Sequence, residues 1–450
     1  MKFTIFDNNK IIVALKKIEK NKINFLVVLS KKNKKISGTI TESDIRRYIL
    51  KGGSYNDVLT ECSNKKYIFG FENDSNESLL RKFDQNIKFL PILNKQFYLI
   101  KVISREDLNF VNPKSIEFNS RCPGRISFAG GGSDITSFFE KNIGAVINSS
   151  ITLYTYSSLK LRNDKIIIIK LVDKNVFLRT EIDNLSKKKT DPKFELIINT
   201  IKVINPEDGF ELSIRSEIPI GSGLGGSSSL INSILGCFNL ALNKHWTKKD
   251  IAELSFLIER IKSGINGGWQ DQYATVFGGF NFIEFDKQNK INSLKISQDV
   301  IFQLEKSLIL CNLNTSHNSS IILEDQIKNS KENKYKEIIN LNKNTAYKMK
   351  DCLMNFKIDE FSNLLRDTWE IKKRLSKKIS SKKINEFYLK AVSHGARSGK
   401  ILGAGGGGYF LFCIDESKYK KFINFIKTKK MNLTNIRFDK NGLVSWIKEF

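Results

Sequence analysis

The sequence predicts an α+β protein. Strand and helix patterns are mixed along the chain without a regular βαβ rhythm. The first hundred or so residues repeat one short helix-and-strand unit, and the rest sets strands beside Gly-rich loops before a long helical stretch. At roughly 100–200 residues per domain, a chain of 450 residues should hold two to four domains.

Taken in order, Ile11 to Asn21 reads as a helix with Ile12, Ala14, Leu15 and Ile18 apolar. Phe25 to Leu29 reads as a buried strand, Lys31 to Lys35 as a polar turn, Ile36 to Ile40 as a second strand and Asp44 to Leu50 as a helix. The pattern recurs after about 55–60 residues. Ser75 to Phe83 is helical, Phe89 to Leu93 and Tyr98 to Ile103 are strands, and Arg105 to Leu108 starts a helix. Asn112 and Pro113 mark a linker, and a new unit begins at Ser120. Strands and Gly-rich loops run to about residue 287, and a Lys/Asn-rich helical region spans about Leu323 to Ala396. A hairpin from Lys400 to Ile414, a helix and a last strand close the chain.

Composition narrows the function classes. Hydrophobic residues make up 40% of the chain, enough for ordinary cores, yet no apolar run approaches the roughly 18 residues a bilayer span needs. Met1 to Phe6 lacks the apolar core and cleavage site of a secretory signal. The cysteines at 62, 122, 237, 311, 352 and 413 form no Cys-x-x-Cys pair, which argues against a structural zinc site and a disulfide framework. A cytoplasmic protein is expected. The three histidines, His245, His317 and His394, are scattered. The net charge of +27 is spread along the chain with Asn and Ile, and no basic stretch is interleaved with aromatics. Compositional drift accounts for it better than a nucleic-acid or membrane partner does. A basic surface still attracts anionic substrates.

Within the repeat, Ile36-Ser37-Gly38-Thr39-Ile40-Thr41-Glu42-Ser43-Asp44 resembles the end of a CBS domain. In ligand-binding members of that family the Thr and Asp contact ribose hydroxyls, which implies Thr41 and Asp44 here. The second copy keeps Ser104 and Asp107 but has Lys101 where Gly is usual. The alternative is that Thr41 and Ser104 cap the next helix, because Thr followed three residues later by an acid is also a capping box.

The loop Ile220-Gly221-Ser222-Gly223-Leu224-Gly225-Gly226-Ser227-Ser228-Ser229 fits Gly-x-Gly-x-x-Gly. A dinucleotide site needs a central strand before the loop and an acid at the end of a second strand about twenty residues on. Pro219 and the loop at Lys244 to Thr247 refuse both. A phosphate cradle fits better: glycines let amides converge on an anion, and the helix expected from Ser227 to Leu242 points its N-terminus at it. No Gly-Lys-Ser/Thr follows, so it is not a Walker A loop.

Two further Gly-rich segments exist, Arg121 to Asp134 and Gly399 to Phe410. The three together resemble the motifs of the GHMP kinase superfamily (galactokinase, homoserine, mevalonate and phosphomevalonate kinases). Gly267-Gly268-Trp269-Gln270-Asp271-Gln272 and the run Arg125-Ile126-Ser127-Phe128-Ala129-Gly130-Gly131-Gly132-Ser133-Asp134 look most similar to heptose 7-phosphate kinases and fucokinase-like domains. The resemblance implies a two-lobed fold, with a ribosomal S5 domain 2-like N-lobe over 118–300 and a ferredoxin-like C-lobe over 301–450, after a CBS pair over 1–112. It implies ATP and Mg²⁺ as cofactors and a sugar or sugar phosphate as acceptor. The pair of CBS copies implies an adenine nucleotide as a further partner and a homodimer.

By the same resemblance, Asp271 orients or deprotonates the acceptor hydroxyl, although a carboxylate is a weak base at neutral pH. Arg125 activates the acceptor or stabilises transferring charge; otherwise it is an ion-pair partner of Asp271. Gly131, Gly132, Ser133 and Asp134 contact the sugar. Galactokinases carry Glu-His where this chain has Gly131-Gly132, so the loop is roomier. Pro219, Gly221, Ser222, Gly223, Leu224, Gly225, Gly226, Ser227, Ser228, Gly405, Gly406 and Gly407 bind ATP, and Ser227 and Glu259 hold the metal. Periodicity alone puts Glu259 on the polar face of a helix over Lys248 to Lys262, whose apolar face is Leu254, Leu257, Ile258 and Ile261. Asn314 to Ser320, with His317 and Asn318, is a further candidate for reading the substrate; heptose kinases tend to carry a basic residue there. A non-catalytic sensor on the same fold is the rival of a different class.

Overall fold

The computed structural model describes residues 2–83, 87–105, 107, 116–185, 191–314, 322, 324–326 and 333–450. The linker at Asn112 and Pro113, Glu106 and Leu108 of the helix start expected at Arg105 to Leu108, and most of the Asn314 to Ser320 segment lie outside the described residues. The chain divides into two compact units, Met1–Pro113 and Lys114–Phe450.

In the first unit, β1 (Thr4–Phe6), α1 (Ile11–Asn21), β2 (Leu26–Leu29), β3 (Ile36–Ile40) and α2 (Glu42–Leu50) form one half. β1 and β2 are parallel, and β2 and β3 antiparallel. The second half repeats order and sense: β4 (Gly70–Phe71), α3 (Asn76–Lys82), β5 (Phe89–Leu93) and β6 (Leu99–Ser104), with β4 and β5 parallel and β5 and β6 antiparallel. Strand alternation sorts the side chains. Leu26 and Val28 pack with Ile11, Ala14 and Ile45, whereas Phe25 and Val27 face Leu93 of the other half. The helix expected at Asp44 begins at Glu42, because Thr41 is its N-cap.

The second unit opens with β7 (Ile116–Ala129), a short helix α4 (Thr136–Phe139), the long strand β8 (Gly144–Leu161), β9 (Ile166–Leu171), β10 (Val176–Glu181), α5 (Pro192–Ile204) and β11 (Phe210–Ser216). Then come α6 (Gly226–Ala241), α7 (Lys248–Phe256), α8 (Gln270–Phe277), β12 (Phe280–Phe285) and β13 (Lys290–Leu294). β8 organises the sheet. Its Ile147–Leu159 stretch pairs with β7, while β12 and β11 share its other edge end to end. Helix α6 lies on β7 and β8, burying Ile231, Ile234, Leu235 and Phe238.

The remaining elements are α9 (Gln298–Ser307), β14 (Leu308–Asn312), α10 (Asn333–Met354), α11 (Ile358–Lys373), α12 (Lys382–Ser393), β15 (Ala396–Ile401), β16 (Tyr409–Ile414), α13 (Tyr419–Thr428), β17 (Leu433–Asn435) and β18 (Val444–Glu449). β15, β16, β14 and β17 make a four-stranded antiparallel sheet whose core holds Trp369, Tyr388, Phe410 and Phe412. β18 returns to the first sheet and pairs with β7, Val444 opposite Arg121. Among the described residues no helix is long and apolar enough to cross a membrane.

Candidate active site

The Gly/Ser loop joins β11 to α6. Gly225 caps the helix in the left-handed conformation, φ 75°. The first-turn amides of α6 have no acceptor within the helix and face the loop's concavity, where the helix dipole favours an anion. Gly223 sits at φ +75°, and a Cβ there would lie 2.6 Å from the Leu402 carbonyl oxygen. That close approach brings the last Gly-rich segment against the loop. The loop edges a cavity of about 650 Å³, one side of which is apolar with Leu171, Leu196, Ile197, Ile214, Ile218 and Leu230.

The charged wall of the cavity centres on Arg125 and Asp271. Arg125 lies on β7 and is buried, with 4% exposure. It donates from Nε to Asp271 Oδ1 at 2.8 Å and from Nη2 to Asp271 Oδ2 at 2.6 Å, a bidentate pair. Its Nη1 donates to the carbonyl of Gly223. One guanidinium therefore ties the first turn of α8, where Asp271 sits, to the phosphate-type loop. Asp271 keeps 19% side-chain exposure on the cavity side.

Asp134 lies beside this pair. It accepts from the Gly132 amide at 2.9 Å and from Gln270 Nε2 at 3.1 Å. Burial, with the charge of Asp271 second, raises its carboxyl above the ordinary aspartate range. A Cβ on Gly268 would stand 2.0 Å from Asp134 Oδ2, so glycine there is what admits the carboxylate. Asn342 of α10 fixes the neighbouring loop, accepting from the Gly130 amide at 3.1 Å and donating to the Gly131 carbonyl at 2.7 Å.

Glu259 departs from the helical expectation. It is 1% exposed, not solvated. The buried face of α7 and its π-helical continuation, Leu257–Lys262, runs through Ile251, Ala252, Ser255, Ile258 and Glu259, while Ile261 is 65% exposed. Ala252 and Ser255 are small enough for close packing but give no apolar signal, so counting large aliphatics selects the wrong face. Glu259 accepts from the Ser227 hydroxyl, from Ser228 Oγ at 2.7 Å and from Gln272 Nε2 at 2.6 Å, and pairs with Arg260 at 3.2 Å.

Arg125, Gly131, Gly132, Asp134, Pro219, Gly221, Ser222, Gly223, Gly225, Gly226, Ser227, Glu259 and Asp271 all line the cavity. Others in the expected set are elsewhere. Leu224 is fully buried, Ser228 is taken up by Glu259, and Ser133 bonds to Gly130 and Ala145 as a loop brace. From the last Gly-rich segment Gly403 and Ala404 reach the wall. Gly405, Gly406 and Gly407 do not, and Gly406 donates its amide to the Ile379 carbonyl at 2.8 Å.

Two lysines in the wall escape the sequence reading. Lys372 donates to the carbonyls of Ile401 and Gly403, and Lys400 to those of Ser127 at 2.7 Å and Phe128 at 3.1 Å. Burial, reinforced by Arg125, pulls the Lys372 ammonium down to about 7 against the opposing charge of Asp134. Burial, then the charges of Lys372 and Arg125, lower Lys400 well below the ordinary lysine range. A signal for Lys372 existed: it continues the apolar face Phe361, Leu365, Trp369 of α11, where a solvated lysine has no place.

In the first unit, Thr41 and Asp44 satisfy each other. The Thr41 amide and hydroxyl donate to Asp44 Oδ2 at 2.9 and 2.7 Å, and the Asp44 amide donates back to Thr41 Oγ1 at 3.3 Å. Ser104 and Asp107 repeat the amide and hydroxyl contacts at 2.6 and 2.8 Å. At Thr41 and Asp44 these bonds form the capping box of α2.

Family models match in both units: "GHMP kinases N terminal domain" over residues 195–279 and "CBS domain" over residues 2–51. The chain is 33% identical over 332 residues to a D-glycero-alpha-D-manno-heptose 7-phosphate kinase of Campylobacter jejuni, covering 73% of this chain and 98% of the relative. A bifunctional fucokinase/GDP-fucose pyrophosphorylase of Arabidopsis thaliana is 26% identical, covering 66% of this chain and 30% of that protein. Among solved structures, a D-glycero-D-manno-heptose 1-phosphate kinase from Bacteroides thetaiotaomicron superposes with a TM-score of 0.61 at 26% identity, covering 74% of this chain and 99% of the other.

Proposed function

The chain belongs to the GHMP kinase family, and from that premise we propose that it transfers the terminal phosphoryl group of ATP to the anomeric hydroxyl of a heptose 7-phosphate, in the supply of nucleotide sugars for polysaccharides. The Arg125–Asp271 pair, tied to the loop through Gly223, carries this reading. The acceptor identity rests on similarity to the heptose 7-phosphate kinase over nearly that relative's whole length.

Each part of the wall has a task in such a transfer. The α6 N-terminus and the loop amides take the triphosphate, and the apolar side of the cavity suits the adenine. The sugar hydroxyls meet Asp134 and the amides of Gly131 and Gly132. Arg125 holds the Asp271 carboxylate in one orientation toward the acceptor hydroxyl. As the new O–P bond forms and the bond to ADP breaks, the hydroxyl proton leaves toward Asp271. Because both carboxylate oxygens also accept from Arg125, Asp271 orients the hydroxyl and offsets its developing positive charge more than it acts as a strong base.

The oxygen donors of Ser227 and Glu259 fit Mg²⁺, which favours one or two carboxylates together with phosphate oxygens and water. Among the described residues no cluster of three or more His, Cys, Asp or Glu offers an all-protein cage. When bound, the ion would neutralise charge on the phosphates; Ser227 and Glu259 would position it. The six free cysteines suit a reducing cytoplasm. The N-terminal unit is assigned an adenine-nucleotide or dimer-forming role, with Thr41, Asp44, Ser104 and Asp107 at the ends of the equivalent strands β3 and β6 of its two halves.

The test is a coupled ADP-release assay over a panel of heptose 7-phosphate, fucose, galactose and mannose. Turnover of heptose 7-phosphate at least tenfold above the others supports the assignment. Preference for fucose would replace the acceptor with that of the fucokinase relatives, and tight ATP binding without any turnover would leave a sensor.

A further inference from the structure

The cavity wall carries more positive charge than its carboxylates balance. Arg125 is matched by Asp271, but among the described residues Lys372 and Lys400, both more than nine-tenths buried, hydrogen-bond only to main-chain carbonyls. A buried cation held in no ion-pair contact among the described residues is costly, and the lowered basicity of both lysines expresses that cost, which the more distant Asp134 offsets only in part at Lys372. An ammonium has three N–H donors. Two of those on Lys372 go to Ile401 and Gly403, which leaves one for the cavity that Lys372 lines.

Its position fits one kind of ligand. Gly403, an acceptor of Lys372, stands so close to the loop that a Cβ on it would lie 2.5 Å from Gly223 Cα. Gly223 in turn accepts from Arg125, the partner of Asp271. Leu375, two residues past the end of α11 at Lys373, is 3.9 Å from where a Cβ of Gly132 would be, so the chain leaving this helix also abuts the sugar-side loop. Lys372 thus stands where the phosphate loop, the carboxylate pair and the acceptor loop meet.

We propose that Lys372 is a binding cation for a tetrahedral phosphate oxyanion in this cavity, its third N–H donating to a phosphoryl oxygen. The inference rests on the phosphotransfer reading above and assigns it a residue which that reading does not contain. The junction position favours the phosphoryl group in transit; the acceptor's own phosphate is the other source of the same chemistry. The charged groups facing Lys372 are Arg125 from β7, Asp134 from the loop after β7 and Lys400 from β15, with Asp271 beyond Arg125.

Sulfate is a suitable probe, because it is tetrahedral and keeps its charge from pH 6 to pH 9. Its binding is measured by calorimetry on the full chain for wild type, Lys372→Met and Lys372→Arg. Below about pH 7 Lys372 is charged and above it neutral, so wild type should bind sulfate at least about tenfold tighter at pH 6 than at pH 9. Lys372→Arg should bind within about threefold of wild type at pH 6 and lose the part of that dependence due to residue 372, since arginine stays charged. Titration of Asp134 or Lys400 would persist in this variant and cancel in the comparison. Lys372→Met should bind about tenfold more weakly at pH 6. Equal binding by Lys372→Met, or an unchanged pH dependence in Lys372→Arg, overturns the proposal. If Lys372→Met does not fold, the arginine variant alone decides.

Turnover separates the two sources. A fall in kcat for Lys372→Met with KM for the acceptor unchanged marks the group in transit. A rise in KM confined to the phosphorylated acceptor marks the acceptor phosphate. No change in either sinks the assignment. If wild type turns over no sugar, the proposed function falls while the sulfate comparison still decides Lys372.

Discussion

Asp134 and Asp271 share one wall but are held differently, and substitution should separate them. Asp271→Asn keeps the shape and removes the charge that Arg125 and the acceptor hydroxyl use. Its kcat should fall by about 10²–10⁴-fold with ATP affinity within about threefold, read by single-turnover kinetics and nucleotide titration. Asp134→Asn should behave otherwise. Burial raises the Asp134 carboxyl, so the native state binds its proton more tightly than the unfolded chain does. The sign follows: ionising this group as pH climbs past the unfolded value costs stability. Asparagine avoids that cost, and the amide of Gln270, whose Oε1 has no partner among the described residues, can turn over to meet it. Asp134→Asn should therefore melt at or above the wild-type temperature at pH 7, by calorimetry, while KM for the acceptor rises roughly tenfold. The Arg125 partner of Asp271 was among the sequence alternatives, whereas no helix or strand pattern points to Gln270 as the partner of Asp134. What makes both legible is the glycine company each keeps, Gly131-Gly132 for Asp134 and Gly267-Gly268 for Asp271.

Elements were legible where one period dominates. Ile11–Asn21 and Ile36–Ile40 stand where the apolar pattern puts them, and the Gly/Ser loop does lead into a helix over Gly226–Ala241. The pattern fails where packing is done by small residues. Ala252 and Ser255 turn α7 so that Glu259 faces Ser227 and Ser228, and periodicity read from leucines and isoleucines put it in solvent. Lys372 was hidden for the converse reason: a lysine on an apolar face reads as an interruption until Ile401 and Gly403 are seen to hold it. Glu259→Gln tests the corrected placement. It keeps the volume but loses one acceptor oxygen and the charge, so the Mg²⁺ concentration for half-maximal rate should rise about tenfold or more, measured at saturating ATP. A solvated glutamate would show no such shift. At the other helix start, Thr41→Ala removes half of the capping box and should cost the N-terminal unit about 1 kcal/mol in urea unfolding.

At the scale of the molecule, the order of the chain and the order of its sheets disagree at the C-terminus. The four-stranded sheet ends at β17, yet the chain goes on to lay β18 along Ile116–Arg121 of β7. No motif announces this closure, since Val444–Glu449 is a short, half-polar strand whose partner lies more than three hundred residues earlier. β18 contributes nothing to the cavity wall, but it covers the strand that carries Arg125 at its inner end. Gly236 of α6 is kept free of a side chain there, because a Cβ would stand 2.6 Å from Ser445 Oγ. Leu443, just before the strand, packs into the core beneath α6. Removing Leu443 to Phe450 strips one edge of β7 of its partner and opens that core. We expect the truncated chain to lose about 3 kcal/mol or more against urea and to lose turnover with it, although every cavity residue remains. Removing residues 1–115 should do neither, because Lys114–Phe450 has its own cores and closes its own first strand. The 116–450 chain should fold on its own, read by circular dichroism, and release ADP within about threefold of the full-length rate. Loss of turnover on removing the N-terminal unit, with folding intact by circular dichroism, would instead make that unit part of the catalytic machinery.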